Sequence, residues 1–306
     1  MAHALFFLGN TFSASGETMR PTPTKTSSIT ELKIESGVFD TVFVTNNVTA
    51  DYSSTIDTTW DYDTILCSLF NNTLLAGNVD FDATQVLSMR VKRRVKGSYQ
   101  WLTLYENPVN SSDDLSVEVF DRYNASNTEY EYAIVVVATN NTEGSYNIAT
   151  ADSKFSGIYI VEKDSAFKTK INARISGIQR NQQVTTINTL GSKYPFHIKN
   201  SVNNYESGNV SGFFVDVDTN TNILKIPEGF AYRKLLNDFL TDGKPKILKS
   251  DDGRVWLISV VGTPSESENS HKDFIISSFD WEECGNSESS TDLYNAGLID
   301  VNIEVT

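Results

Sequence analysis

Between Asp63 and Ala151 the chain repeats one local theme six times. DTILCSLF (63–70), VLSMRVKRR (86–94), QWLTLYE (100–106), LSVEVFD (115–121), YEYAIVVVA (130–138) and YNIATA (146–151) are short runs rich in β-branched and aromatic residues. Asn, Asp, Gly or Ser bounds each of them. Such side chains fit a pleated, half-buried surface, and the spacing predicts an antiparallel β-sandwich. KGS (96–98) and NNTEG (140–144) read as turns between these strands.

The segment EYEYAIVVVATNNTEGSYNIA (129–149) resembles the last two strands of a fibronectin type III domain. Tyr130, Tyr132, Ala138, Asn140 and Gly144 match that family's aromatic pair, Ala-x-Asn step and Gly before the final strand. SMRVKRRVKGSYQWLTLYE (88–106) resembles the preceding pair, so the resemblance covers about 55–155. Such sandwiches lock a strand with a tyrosine whose hydroxyl bonds back to the backbone. Tyr130 or Tyr132 is the candidate here.

A second unit begins near Phe155. GIYIVE (157–162) reads as a strand, and 167–190 holds one or two more. YPFHIKN (194–200) and NVSGFFVDV (209–217) read as two strands that pair with each other across the polar loop SVNNYESG (201–208). One helix follows: Tyr232, Leu235, Leu236, Phe239 and Leu240 recur at helical spacing, with Pro227 near the start and Gly243 past the end. KPKILK (244–249) and RVWLISVV (254–261) form a hairpin through SDDG. The polar segment 262–273 reads as a loop before a last strand, 274–283.

This order resembles the tail-tube-like fold of distal tail and baseplate-hub proteins of long-tailed bacteriophages. The stretches that carry the resemblance are SKYPFHIKNSVNNYESGNVSGFF, YRKLLNDFLTDGKPKILKSDDGRVWLISV and FDWEECG. The expected fold is mainly β: a fibronectin type III-like sandwich plus a tail-tube-like β-sandwich or barrel with one amphipathic helix. The expected organisation is an N-terminal arm with short strands (1–54), the fibronectin-like domain (55–155), a ring-forming domain (156–285) and a C-terminal extension (286–306). The resemblance implies a structural virion protein of the tail, assembled in the host cytoplasm. It implies a self-assembled ring, hexameric by analogy, that contacts the tail tube protein, the tape measure protein and tail-tip or fibre proteins. The alternative is a carbohydrate- or host-surface-binding module, which would show Trp60 and Trp101 in an open groove.

The formal net charge is −14, and an acidic chain does not hold polyanions by its overall field. No specific nucleic-acid binding is therefore expected. No run approaches the ~20 apolar residues of a membrane span, so no membrane partner is expected. MAHALFFLGN lacks the basic start of a signal peptide, and a soluble protein made in a cytosol is the simplest expectation. Cys67 and Cys284 lack metal-ligand spacing and are expected to be buried thiols.

His3, His197 and His271 are scattered, and no nucleophile, phosphate-loop or metal-ligand motif is present. No enzyme is therefore expected, with no catalytic, cofactor-binding or metal residues and no cofactor. MRVKRRVK (89–96) is the one basic run. It is expected to be a strand whose long side chains cover an exposed sheet face, with a polyanion site or ion pairs to Glu118 or Asp121 as the other readings. DVDTNTN (216–222) lacks the Gly and Glu of a calcium loop and reads as a turn. Asp57, Asp61 and Asp63 beside Trp60 are the only support for a hydrolase.

Overall fold

A computed structural model of the chain describes residues 31–45, 86–138, 141, 143–216, 224–269 and 271–301. The fold is mainly β, built from antiparallel sheets. It divides into two compact units. The first comprises Met1–Phe155 with Glu288–Tyr294 and Ile299–Thr306, and the second Ser156–Ser287 with Asn295–Leu298. The runs expected at 63–70 and 216–222 fall wholly or almost wholly outside the described residues, as do His3, Trp60, Cys67 and the acidic cluster beside Trp60.

Among the described residues the first unit has seven strands: β1 (Glu31–Glu35), β2 (Asp40–Thr45), β3 (Val86–Val95), β4 (Leu102–Pro108), β5 (Val117–Asp121), β6 (Thr128–Ala138) and β7 (Glu143–Ser153). They form a three-stranded sheet, β1-β2-β5, and a four-stranded sheet, β4-β3-β6-β7. The expected start of the sandwich at 55 is corrected, because Glu31–Thr45 supplies two of the three strands in the first sheet. Two expected turns fare differently. Ser98 N–H donates to Val95 O at 2.9 Å, closing KGS with Gly97 at φ 83°. Glu143 and Gly144, by contrast, lie inside β7, with Glu143 opposite Val137.

β6 is buried on both faces because it is central in its sheet. Ala133 and Val135 pack with Tyr146 on one side, while Tyr130 and Tyr132 lie on the other. Of the two tyrosine candidates, Tyr130 makes the backbone tie: its hydroxyl accepts from Ala125 N–H at 2.8 Å.

The second unit is a seven-stranded antiparallel sheet, order β10-β11-β14-β13-β12-β8-β9. The strands are β8 (Ile158–Val161), β9 (Ala166–Thr169), β10 (Ile171–Ile187), β11 (Phe196–Phe213), β12 (Lys246–Ser250), β13 (Val255–Asn269) and β14 (His271–Gly285). Ile158, Ile160, Val210, Leu248, Trp256, Ile258, Phe279 and Trp281 form one core. Helix α1 (Gly229–Leu240) covers it with Leu236, Phe239 and Leu240. Leu235 was expected in this stripe but is 60% exposed. At about 100° per residue, the buried arc runs from Phe239 through Leu236 and Leu240 to Arg233, and Leu235 falls off its edge.

The two edge strands, β9 and β10, are consecutive in the chain, with only Lys170 between them. Thr169 Oγ1 donates to Phe213 O at 3.0 Å, which brings one edge against β11 and rolls the sheet. Gly212 makes this possible, since a Cβ there would stand 2.6 Å from Thr169 Oγ1.

Two expected loops are strand. The segment 201–208 lies inside β11, whose partners are β10 and β14, so 194–200 and 209–217 do not pair with each other. The described residues of 262–273 are likewise strand and belong to β13 and β14. Both are two-stranded extensions with little to bury, so the apolar alternation that marks a half-buried strand is missing. Their turn-forming residues sit at register shifts instead. The β10–β11 shift falls between Gln182↔Asn204 and Val184↔Lys199, which loops out 200–203. The β13–β14 shift falls between Val261 and Ser265, where Gly262 has φ 72° and Pro264 has no N–H to give.

The expected C-terminal extension contains a short helix, α2 (Ser290–Asn295).

Candidate functional site

The basic run lies on β3, and the two-residue period of a strand divides it between two faces. On one face, Arg90 Nη1 and Lys92 Nζ both donate to Glu143 Oε1, at 2.8 and 2.6 Å. Arg90 Nε also reaches Glu106 Oε2 at 3.1 Å, and Arg94 Nε reaches Glu131 Oε2 at 2.6 Å. Burial alone would raise the Glu143 carboxyl, but Lys92 and Arg90 more than offset it and hold it below the usual carboxylate range. On the other face, Arg93 is fully buried and donates through Nη1 to Asp121 at 2.7 and 3.0 Å. Its Nη2 donates to Glu288 at 3.1 Å. Arg90, Lys92 and Arg93 are therefore buried rather than spread over an exposed face. Of the two carboxylates suggested as partners, Asp121 is used and Glu118 is not.

Around Asp121 the structure gathers residues that sequence alone left scattered. Tyr132 Oη stands 2.7 Å from Asp121 Oδ2 and 2.7 Å from Asp40 Oδ2. Ser153 Oγ also bonds Asp40 Oδ2. A phenol has one proton to donate. Both carboxylates therefore compete for the one Tyr132 proton, and Asp121 is also paired to Arg93. Burial raises the Asp40 carboxyl above its ordinary range and the Asp121 charge adds to the effect, against the hydrogen bonds from Ser153, Tyr132 and Gly37 N–H. Burial and the two carboxylates also hold the Tyr132 phenol well above its usual value. This network joins β2, β3, β5, β6, β7 and the residue that opens the C-terminal return, Glu288. Its members bond one another inside a core, with Arg93 Nε the one member atom left without a partner among the described residues.

The remaining candidates do not converge. Trp101 packs against Tyr146, with ring centroids 5.5 Å apart, and the Arg94 guanidinium sits 4.3 Å from the indole centroid. Its ring is thus contacted by protein groups. Trp256 and Trp281 lie in the second core. His197 is exposed and bonds Thr186 at 3.2 Å. Cys284 is exposed, which corrects the expectation of a buried thiol; its Sγ lies 3.6 Å from Leu257 O on the neighbouring strand. No group of three or more metal-ligating side chains occurs among the described residues.

The most distinctive surface is the β10–β11 hairpin. β14 pairs with β11 only over Ser207–Gly212, so Gln179–Ile187 and Phe196–Glu206 continue as a two-stranded ribbon. At ~3.3 Å per residue it runs roughly 30 Å past the sheet. Residues directly opposite in an antiparallel pair share a face. Ile187 and Phe196 are opposite, as are Thr185 and Ile198, which gives an apolar face. Thr186 and His197, with Val184 and Lys199, make the other. Phe196 is 58% exposed and Tyr194 71%, and Leu190 at the tip is fully exposed. At the ribbon's base, Lys170, Arg174, Arg254, Asp251 and Asp252 line an open polar cleft of about 440 Å³.

Comparison of the sequence with protein-family models gives no match, and comparison with curated proteins gives none.

Proposed function

We propose that this chain is a structural subunit of the tail tip or baseplate of a long-tailed bacteriophage, forming a ring that links the tail tube to tip or fibre proteins. The observation that carries this reading is the shape of the second unit. A rolled antiparallel sheet, plugged by one helix, extends as two-stranded ribbons at both ends of its strands. Such ribbons are poorly stable alone in water and gain stability when a neighbour covers them. The three- plus four-stranded pairing of the first unit and the Tyr130 tie support the fibronectin-like resemblance. That unit is the projecting or bracing module. Copies of one chain joined by heterologous contacts close into a ring when the rotation allows it. The ring is taken as sixfold from the resemblance, with the tail tube and tape measure proteins as neighbours.

Electron microscopy of the purified protein tests this, together with mass spectrometry of disrupted virions. Closed rings of uniform diameter and peptides of this chain in the virion are the expected results. A monomer at all concentrations, absent from virions, refutes the proposal.

A further inference from the structure

The charges of the second unit are not evenly spread. From Ala166 to Tyr205 the chain carries Lys168, Lys170, Arg174, Arg180, Lys193 and Lys199 and no Asp or Glu. Six of the 25 basic residues thus lie here and none of the 39 acidic ones, which leaves the remainder at −20 against −14 for the whole chain. This stretch is β9 and the β10–β11 ribbon. Antiparallel pairing of β11 with β14 sends the β13–β14 ribbon past Phe213, toward the opposite end of the sheet. That second ribbon is acidic: from Gly262 to Ile276 there are three Asp or Glu and one Lys, while Asp280, Glu282 and Glu283 lie at the other end of β14, beside Ser207–Asn209. Glu268 and Asp273 stand on its far part and are exposed, while Glu266, nearer the sheet, is paired with Arg233 at 3.2 Å. One unit therefore presents a basic arm at one end and an acidic arm at the other.

We infer that the basic β10–β11 ribbon docks on a second copy of this chain, against the acidic β13–β14 ribbon at the far end of that copy's sheet. The inference deepens the ring reading and rests on it. Two features select this occupant. Opposite charge at opposite ends makes the contact heterologous, so that each copy gives one arm and receives the other. The exposed Ile187, Phe196 and Ile198 face calls for an apolar cover, which a phosphate backbone does not supply. Charged rims of this kind set orientation and association rate, while the apolar face resists dissociation.

The test is mass photometry and sedimentation of the full chain between 50 and 500 mM NaCl. Three variants are compared with wild type: K193E/K199E, F196S/I198S, and K193E/K199E combined with E268K/D273K. All substituted side chains are exposed, and unchanged circular dichroism melts verify the fold. The expected result is association that weakens with salt, falls at least tenfold in each of the first two variants, and recovers in the charge-swapped one. Rings that form equally well in all variants overturn the inference and leave the ring reading standing. A wild-type monomer overturns both. Salt-sensitive binding of a 30-base-pair DNA duplex that K193E/K199E abolishes, with assembly unaffected, also overturns it and assigns the ribbon to nucleic acid.

Discussion

Arg93→Met is the substitution whose cost the structure defines best. Arg93 is fully buried and directs two bonds at Asp121 and one at Glu288, with its guanidinium 4.8 Å from the Tyr130 ring centroid. Methionine replaces much of the aliphatic stem but leaves Asp121 charged inside the core. The remaining donors to Asp121 are then the Tyr132 hydroxyl and Tyr123 N–H, at 2.7 and 3.0 Å. Removing one partner of a buried ion pair costs about 3–5 kcal/mol, chiefly because the other charge is stranded. At ~2–4 °C per kcal/mol for a domain of ~150–250 residues, the transition of the first unit falls by about 10–15 °C. Asp121→Asn destabilises less, since Arg93 keeps Glu288. The double variant neutralises both charges and loses at least ~2 kcal/mol less than the sum of the singles. Differential scanning calorimetry with urea titration measures all four proteins, and hydrogen exchange over 86–153 assigns the affected transition. A loss below ~1 kcal/mol for Arg93→Met, or strict additivity, refutes this account of the buried charges.

Three further outcomes follow from the same coordinates. Asp40 is raised in the folded state, so the native protein holds a proton that the unfolded chain releases near pH 4; its contribution is full below that pH and is lost as pH rises through the folded-state value. The melting temperature of wild type relative to Asp40→Asn should therefore decline from pH 4 upward and then level off, and a pH-independent difference would falsify the upward shift of the Asp40 carboxyl. Gly212→Ala places a Cβ 2.6 Å from Thr169 Oγ1 and 2.7 Å from Cγ2 at the closure of the second sheet, with an expected loss of about 1–3 kcal/mol in urea melts. Leu236→Ala opens the core beneath α1, where Leu236 is fully buried, and should cost about 2–5 kcal/mol, whereas exposed Leu235→Ala should shift stability by no more than ~0.5 kcal/mol.

Where strands cover a core, their sequences announced them. The runs 86–94, 130–138 and 254–261 are dense in β-branched and aromatic residues because they pack on a core, and the helix showed its stripe for the same reason. Legibility failed where the backbone is paired but the side chains are not buried. Asn204–Gly208 and Ser265–Asn269 have the composition of loops, and only partner strands elsewhere in the chain hold them extended. Pairing is not written in local composition when neither face is covered. The buried network was legible in part, since Asp121 stood out as a neighbour for the basic run. Asp40, Ser153 and Glu288 carried no signal, being distant in sequence and unremarkable in their surroundings. The charge segregation of the ribbons was present in the sequence throughout, but it acquires meaning only when the register sends the two arms to opposite ends.

The chain's return to the first unit at Glu288 bears on the order of folding. Arg93 and Glu288 are 195 residues apart, and Ser156–Ser287 of the second unit lies between them. The two ends of that unit meet the same hairpin: Gly157 O accepts from Asp251 N–H, and Ser287 Oγ donates to Val255 O. Once the second unit is folded, its entry and exit points are held a few residues apart. Loop-closure entropy grows as the logarithm of length, so shortening the 195-residue loop between Arg93 and Glu288 to roughly 65 residues lowers the closure cost by roughly 1 kcal/mol. Folded first, the second unit acts as a clasp that delivers Glu288 to a sandwich still being assembled. The insertion is then a kinetic aid to completing the first unit.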